Sequence, residues 1–379
     1  MILSFNKYLD EKPLYFDEID YKRVHLAYAT LEPHIKHPKI VHIVGTNGKG
    51  STGRIIAHLA KYNIQVGHFS SPHIQKFNER IWINGFDIDD NNLNLAHKRL
   101  YSILGDEVSD SLSYFEYTTL LAFVAFENVD LIVLEAGLGG EFDATNVCNK
   151  FLTVITPIGI DHQAFLGETI EEIASTKIRS IQDRVLVAKQ SYLEVNQIAK
   201  DIAKDKNTEI YFIPNNNPID KKLNEIIEKK QWSDYIIDNT LVAIEALNIL
   251  DIKYDINNLI DLELFGRFYK FRDNIIIDVG HNPLASRAIY NALDKKVVLI
   301  YNSLEDKDYK EVLKILKPKL KRVEIIKIPS QRAVTIKRVE EALNTLDIKY
   351  SFFNGDIKKD EDYLVFGSFY VIEEFLTLY

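Results

Sequence analysis

Short, almost continuous apolar runs alternate along this chain with longer stretches of mixed polarity. In the first half the runs are "KIVHIV", "VDLIVLEAG", "FLTVITPIG" and "RVLVAK". A strand that is apolar on both faces must be covered on both faces, so these runs predict a mainly parallel sheet with helices packed on each side. The stretches between them supply candidate helices at residues 53–63, from near Thr169, and at 239–250. After Arg267 the alternation resumes with "NIIIDVG", "KVVLIYN", "RVEIIKI" and "YLVFGSF", separated by helical patterns at residues 308–316 and 335–346. That renewal predicts a second α/β unit. Gly266, inside "LELFGRFYKF", interrupts a mixed segment and sets the expected boundary, with domains at residues 1–266 and 267–379.

Composition fits this division. A chain of 379 residues exceeds one ordinary core, and 46% apolar residues can fill two. The net charge of −9 argues against a broad nucleic-acid or anionic-membrane footprint. The short basic run "KPKLKR", Lys317 to Arg322, reads as a solvated helix end. A single cysteine, Cys148, excludes an internal disulfide framework, and no Cys/His cluster has zinc-site spacing. The opening "MILSFNKYLDEK" turns charged before a signal-peptide core could form, and no apolar run approaches the length of a membrane span. The expectation is a cytoplasmic protein with no nucleic-acid or membrane partner.

The first apolar run leads into "HIVGTNGKGST", where three glycines and a lysine precede Ser51 and Thr52. The phosphate-loop consensus is G-x-x-x-x-G-K-[ST]; here Ile43 stands where its first glycine would be and Gly50 follows Lys49. The physics survives the mismatch, because Gly45 and Gly48 permit close backbone approach and a helix N-terminus presents N–H groups to an anion. A glycine-rich turn with no ligand is the competing explanation. With no hydroxyl directly after Lys49, another residue must help hold a magnesium ion.

In open parallel sheets, ligands gather at the carboxyl ends of the strands. Polar residues cluster at five such ends: after Gly45, at "SSPH", at "EAGLGGEFDATN", at "GIDHQAFLG" and at "DVGHNP". Glu135 at the tip of "DLIVLE" is either a ligand for a hard cation or a cap or ion-pair partner. His162 after "PIGID" is open between packing and metal contact, and Asp161 beside it is expected to cap the next turn. Lys177 lies in a helix where nothing local distinguishes it. Asp278 ends "NIIID" and His281 to Pro283 opens a helix, a tip that could face a nucleotide or simply start with proline.

Taken together, "GTNGKGS", "SSPHIQKFNERI", "SYFEYTTLLAF", "EAGLGGEFDATN", "IGIDHQAFLGETIEEIA", "DVGHNP", "LEDKD" and "FGSFYV" resemble the folylpolyglutamate synthase / dihydrofolate synthase family of Mur-type ATP-dependent amide ligases. The strings span nearly the whole chain in the family's order. The resemblance implies a P-loop-type, mainly parallel α/β ATPase domain followed by a smaller Rossmann-like α/β domain. It implies that ATP phosphorylates a substrate carboxylate, that the amine of L-glutamate attacks the acyl phosphate, and that the acceptor is dihydropteroate or a reduced folate. Two magnesium ions and a monomeric enzyme are expected.

Residue by residue, the resemblance assigns Lys49 to the ATP phosphates, with Asn47, Gly48, Gly50 and Ser51 lining the loop. Asn239, Arg267, Asp278 and His281 fall at nucleotide-facing positions. Ser71 and Glu135 match magnesium ligands, which accounts for the missing hydroxyl, and His162 matches the ligand of a second ion. Lys177 matches a lysine that is carbamylated in the family, although the surrounding E-K-A-G-I is "TKIRSI" here. Phe115, Glu116, Phe142, Asp143 and Ala144 match pterin-side positions, and Glu141 replaces the family's arginine, reversing a charge. A P-loop kinase or nucleotide-dependent switch protein is the rival; it gives no reason for a second α/β unit that carries "DVGHNP".

Overall fold

The structure is a computed structural model that describes residues 3–13, 20, 22–214 and 219–379. Two compact units emerge. The first comprises Met1–Ile158, Glu168–Lys230 and Asp238–Leu262; the second comprises Gly159–Gly167, Gln231–Ile237 and Glu263–Tyr379. The second unit thus begins close to Gly266 but also claims two earlier segments, one of which carries Asp161 and His162.

The first unit is built on strands β1 (Lys39–Val44), β2 (Val66–Phe69), β3 (Ile81–Ile83), β4 (Phe86–Asp87), β5 (Leu131–Glu135), β6 (Leu152–Ile155), β7 (Arg184–Val187) and β8 (Glu209–Phe212). Their spatial order is β4-β3-β2-β5-β1-β6-β7-β8. The six strands from β2 to β8 run parallel, and the β3–β4 hairpin adds an antiparallel edge. Asn84-Gly85 forms its two-residue turn, the residue pair that suits this connection. β2, β5 and β6 are buried at every position, as central strands covered on both faces are. Register places Glu135 beside Ile43 and Phe69 beside Leu134, so the ends of β1, β2 and β5 open at one edge.

Helix boundaries departed from expectation where backbone geometry intervened. The helix behind β1 runs Lys49–Ala60 rather than 53–63, because Gly48 adopts a left-handed conformation and the chain enters the helix at once. The helix Ile170–Ile178 starts as expected, with Thr169 and Glu172 forming a reciprocal capping box. The helix Asp234–Ile249 begins five residues before Asn239, with Asp234 in its first turn.

The second unit holds β9 (Tyr269–Arg272), β10 (Ile275–Asp278), β11 (Val297–Tyr301), β12 (Leu320–Ile325), β13 (Tyr350–Phe352) and β14 (Tyr363–Phe366), in the order β13-β12-β11-β14-β10-β9. Only β9 is antiparallel to its neighbour. Its core packs Leu299, Tyr301, Leu313, Val323, Leu343 and Phe366. The basic run is a correction: only Lys317–Lys319 forms a short helical turn, and Leu320 onward is strand β12. There Arg322 is ion-paired with Glu324 and Glu361 rather than solvated. Among the described residues no helix is long and apolar enough to cross a membrane.

Candidate active site

The loop after β1 is shaped by two glycines. At Gly45, φ is +150° and an added Cβ would lie 2.0 Å from the Thr156 hydroxyl; at Gly48, φ is +84° and a Cβ would lie 2.5 Å from Asn239 Oδ1. Both positions are therefore closed to side chains by conformation and by space. The amides of Thr46 and Asn47 donate to the Pro157 carbonyl at 3.0 and 3.1 Å, and Lys177 Nζ donates to the Gly45 carbonyl at 3.0 Å. Lys49, at the start of the helix, reaches only the Thr46 carbonyl at 3.4 Å. Gly50 and Ser51 follow in its first turn, where amides lack a partner four residues back.

Three buried polar atoms here have no partner among the described residues: Ser51 Oγ, Thr52 Oγ1 and Asn239 Nδ2. Ser51 is 2% and Asn239 4% exposed. Orphaned polar atoms at such depth are costly unless something else satisfies them. Together with the glycine-shaped backbone and the helix N-terminus, they fit a phosphate-bearing nucleotide. The structure also brings Asn239 against Gly48, although the two are far apart in sequence.

Ser71 and Glu135 meet at the neighbouring strand tips. The Ser71 amide donates to Glu135 Oε2 at 3.3 Å, and Glu135 is buried. A hydroxyl and a buried carboxylate are hard oxygen donors, the chemistry a magnesium ion prefers. His162 belongs to the second unit. No group of three His, Cys, Asp or Glu residues poised around one metal position occurs among the described residues.

Of the residues expected on the pterin side, Phe142, Asp143 and Ala144 lie after β5, and Phe115 and Glu116 lie in the helix Tyr114–Ala125. Gly137 lets the Phe115 ring approach, since a Cβ there would lie 2.5 Å from the ring. Phe142 is 52% exposed, whereas Ala144 is buried. Glu116 accepts from the Ser113 amide at 2.8 Å in a capping box and pairs with Arg23 at 2.9 Å, so its carboxylate is engaged by the protein. Asp143 is buried and accepts from Leu138 N at 2.7 Å, Thr145 N at 2.9 Å and Thr145 Oγ1 at 2.5 Å. Burial pushes its pKa up, while the Thr145 and Leu138 hydrogen bonds and the Lys49 charge pull it back. Glu141, in the arginine's place, pairs with Arg179 at 3.4 Å, a partly exposed contact.

In the second unit Asp278 is buried and accepts from Tyr235 OH at 2.7 Å, Phe268 N at 2.8 Å and Gly280 N at 2.7 Å. Burial raises its pKa, opposed by the Tyr235 hydrogen bond and the Arg267 charge. Arg267 lies over the Phe369 ring at 5.2 Å. Asp161 accepts from the His162 amide at 2.8 Å, at the head of the next turn, and it also anchors a charged cluster, accepting from Lys307 Nζ at 2.7 Å and Asn282 Nδ2 at 3.0 Å, with His281 Nε2 at 3.6 Å. Burial pushes its carboxyl up, but the hydrogen bond and charge of His281 and the Lys307 ammonium outweigh it, holding it well below the usual carboxylate range. Lys307 also donates to His162 Nε2 at 3.1 Å. The other ring nitrogen, His162 Nδ1, stands 3.9 Å from Asp306 Oδ2.

Sequence reasoning missed Lys307, Tyr235 and Pro157. The string "LEDKD" contained the first, but a lysine between two aspartates reads as a solvated charge until the fold buries it. Nothing local marks Tyr235, whose partner lies 43 residues away.

Residues 43–271 match the Mur ligase middle domain. The chain is 28% identical to the dihydrofolate synthase/folylpolyglutamate synthase of Haemophilus influenzae, over 89% of this chain and 88% of that protein. It superimposes on the crystal structure of Helicobacter pylori folylpolyglutamate synthetase with a TM-score of 0.80 and 38% identity, covering 99% of this chain and 97% of that one. It is also similar to a bifunctional folylpolyglutamate synthase/dihydrofolate synthase with Mn, AMPPNP and L-glutamate bound, at a TM-score of 0.84 and 25% identity, covering 98% and 96% of the two chains. With a nucleotide-type loop, an oxygen-donor strand tip and a second α/β unit on one chain, these matches agree with the geometry, and the chain belongs to the Mur ligase family, in its folylpolyglutamate synthase / dihydrofolate synthase group.

Proposed function

We propose that this protein is an ATP-dependent ligase that joins L-glutamate to dihydropteroate, to the glutamate tail of a reduced folate, or to both. The observation that carries it is the loop Gly45–Ser51, closed to side chains and ringed by buried polar atoms without partners among the described residues, in a chain matched over nearly its whole length by a folylpolyglutamate synthetase. Bound ATP would supply the phosphoryl group that turns the acceptor carboxylate into an acyl phosphate open to an amine.

This chain's part is to bind, orient and neutralise. The Lys49 ammonium and the first-turn amides of Gly50 and Ser51 balance phosphate charge, with Asn47 and Gly48 completing the cradle and Asn239 supplying its buried amide. Arg267, Asp278 and His281 are assigned to nucleotide binding. Ser71 and Glu135 hold one magnesium ion, and His162 a second, so that cations are in place where charge develops. Phe115, Phe142, Asp143 and Ala144 receive the pteridine, with Glu116 fixing the start of the helix that carries Phe115. Lys177 supports the loop through Gly45; carbamylation of Lys177 would replace that donor with an acceptor and is checked by intact mass. The domains are assigned to residues 1–266 and 267–379, and the enzyme to the cytoplasm as a monomer.

Phosphate release tests the proposal. With ATP, L-glutamate and either dihydropteroate or a reduced folate, release is expected, and it stops when any one component is omitted. Release that ignores glutamate, with phosphate passed to another acceptor, would instead identify a kinase.

A further inference from the structure

We infer that His42 and Thr145 are positioning residues that hold Asp143 ionised and aimed at an N–H donor of the pteridine, an inference that rests on the ligase function proposed above. His42 lies in β1, three positions before Gly45, in the strand that delivers the nucleotide loop. His42 and Thr145 are both fully buried. His42 Nε2 stands 2.8 Å from Thr145 Oγ1, which in turn stands 2.5 Å from Asp143 Oδ1.

The direction of this chain follows from its end. Thr145 gives its single hydroxyl proton to the carboxylate, so its oxygen can only accept from His42, and the imidazole must carry its proton on Nε2. Burial drives the His42 pKa well below its ordinary value and the Lys150 charge adds to this, so the ring stays neutral and the polarity does not reverse. His42 Nδ1 has no partner among the described residues. The ring therefore makes one side-chain hydrogen bond, and that bond serves Thr145.

Asp143 takes three protein donors, two on Oδ1 and one on Oδ2. A carboxylate offers about four acceptor positions. One remains, on Oδ2, and it suits an amino or ring N–H of a pteridine. Lys49 is the cation that faces Asp143, and Lys150 the one that faces His42. Unlike the backbone donors, the His42–Thr145 pair is set by side chains and can be removed without rebuilding the loop.

The test uses the full-length protein with two readouts, steady-state phosphate release and equilibrium titration of dihydropteroate by fluorescence. Thr145→Val is expected to raise the KM and Kd for dihydropteroate about tenfold, the scale of losing a hydrogen bond to a charged group, with the KM for ATP unchanged. Thr145→Ser restores binding. His42→Phe weakens dihydropteroate binding by a smaller factor, and His42→Gln, which returns an N–H donor at the Nε2 position, recovers it. Should Thr145→Val not fold, the two His42 variants carry the same comparison. Wild-type affinity in Thr145→Val or His42→Phe would overturn the inference, as would ATP and dihydropteroate KM values rising together without rescue by Ser or Gln. Wild-type protein that neither binds nor glutamylates a pteridine refutes the proposed function and this inference together, whereas normal wild-type turnover with indifferent variants refutes positioning alone.

Discussion

The loop Gly45–Ser51 of the first unit and the Asp161 cluster of the second solve opposite problems. The loop is made of backbone, with glycines that clear space and buried polar atoms, Ser51 Oγ, Thr52 Oγ1 and Asn239 Nδ2, that find no partner among the described residues. The Asp161 cluster is made of side-chain charges that satisfy one another: Lys307, Asn282 and His281 converge on a single carboxylate. The first is shaped by backbone conformation and by space. The second is arranged to hold a strand tip together. A dense cluster of titratable residues does not by itself point to a ligand, because this one already balances its own charge.

Mutations should separate the two by what they damage. The largest effect is expected from Lys307→Met, which leaves Asp161 buried without its ammonium partner; a loss of about 3 kcal/mol of stability should appear in urea unfolding, and an unchanged midpoint would show the cluster is not structural. Lys49→Ala should leave unfolding nearly untouched while lowering turnover on the order of 100-fold or more, the scale of losing one preorganised stabilising group. Near-normal phosphate release would break the contrast at its other end. Gly48→Ala forces a Cβ into Asn239 at a left-handed position, and a roughly tenfold rise in the KM for ATP is expected, by the same loss of about 1.4 kcal/mol that a strained backbone costs.

The smallest effect concerns acid. The Arg322 hydrogen bond lowers the Glu361 pKa to about 2 from an ordinary 4.5. A depressed carboxyl stabilises the fold above its unfolded pKa, and that contribution is lost as pH falls from 4.5 toward 2. Glu361→Gln should flatten this part of the urea midpoint against pH by well under 1 kcal/mol, as partly exposed pairs do. A wild-type slope retained in the variant would assign the acid sensitivity to other carboxylates.

Much of the architecture was legible because it depends on local rules. "KIVHIV" and "DLIVLE" are strands wherever they are placed, since neither face of such a run can meet water, and Thr169 with Glu172 announces its own helix start. The glycine loop was legible for the same reason, even with Ile43 and Gly50 in nonconsensus positions. Asp161 was legible only in part: its own turn supplies the His162 amide, but Lys307 and Asn282, more than a hundred positions away, converge on the same carboxylate. Arg322 likewise sits in β12, where Glu324 two residues on and Glu361, 39 residues away, converge on its guanidinium, and the second pairing is one that no charge count along the chain reveals.

Sequence alone determined the α/β alternation, the placement of polar residues at strand ends and the family to which those strings belong, because periodicity and short motifs are properties of contiguous residues. Tertiary structure alone decided which side chains those ends bring together: Asn239 against Gly48, Tyr235 on Asp278, and His42 through Thr145 to Asp143. The physical reason is that desolvation and hydrogen-bond geometry act between neighbours in space. A buried histidine in an apolar strand is only another core residue until the fold shows which oxygen receives its proton.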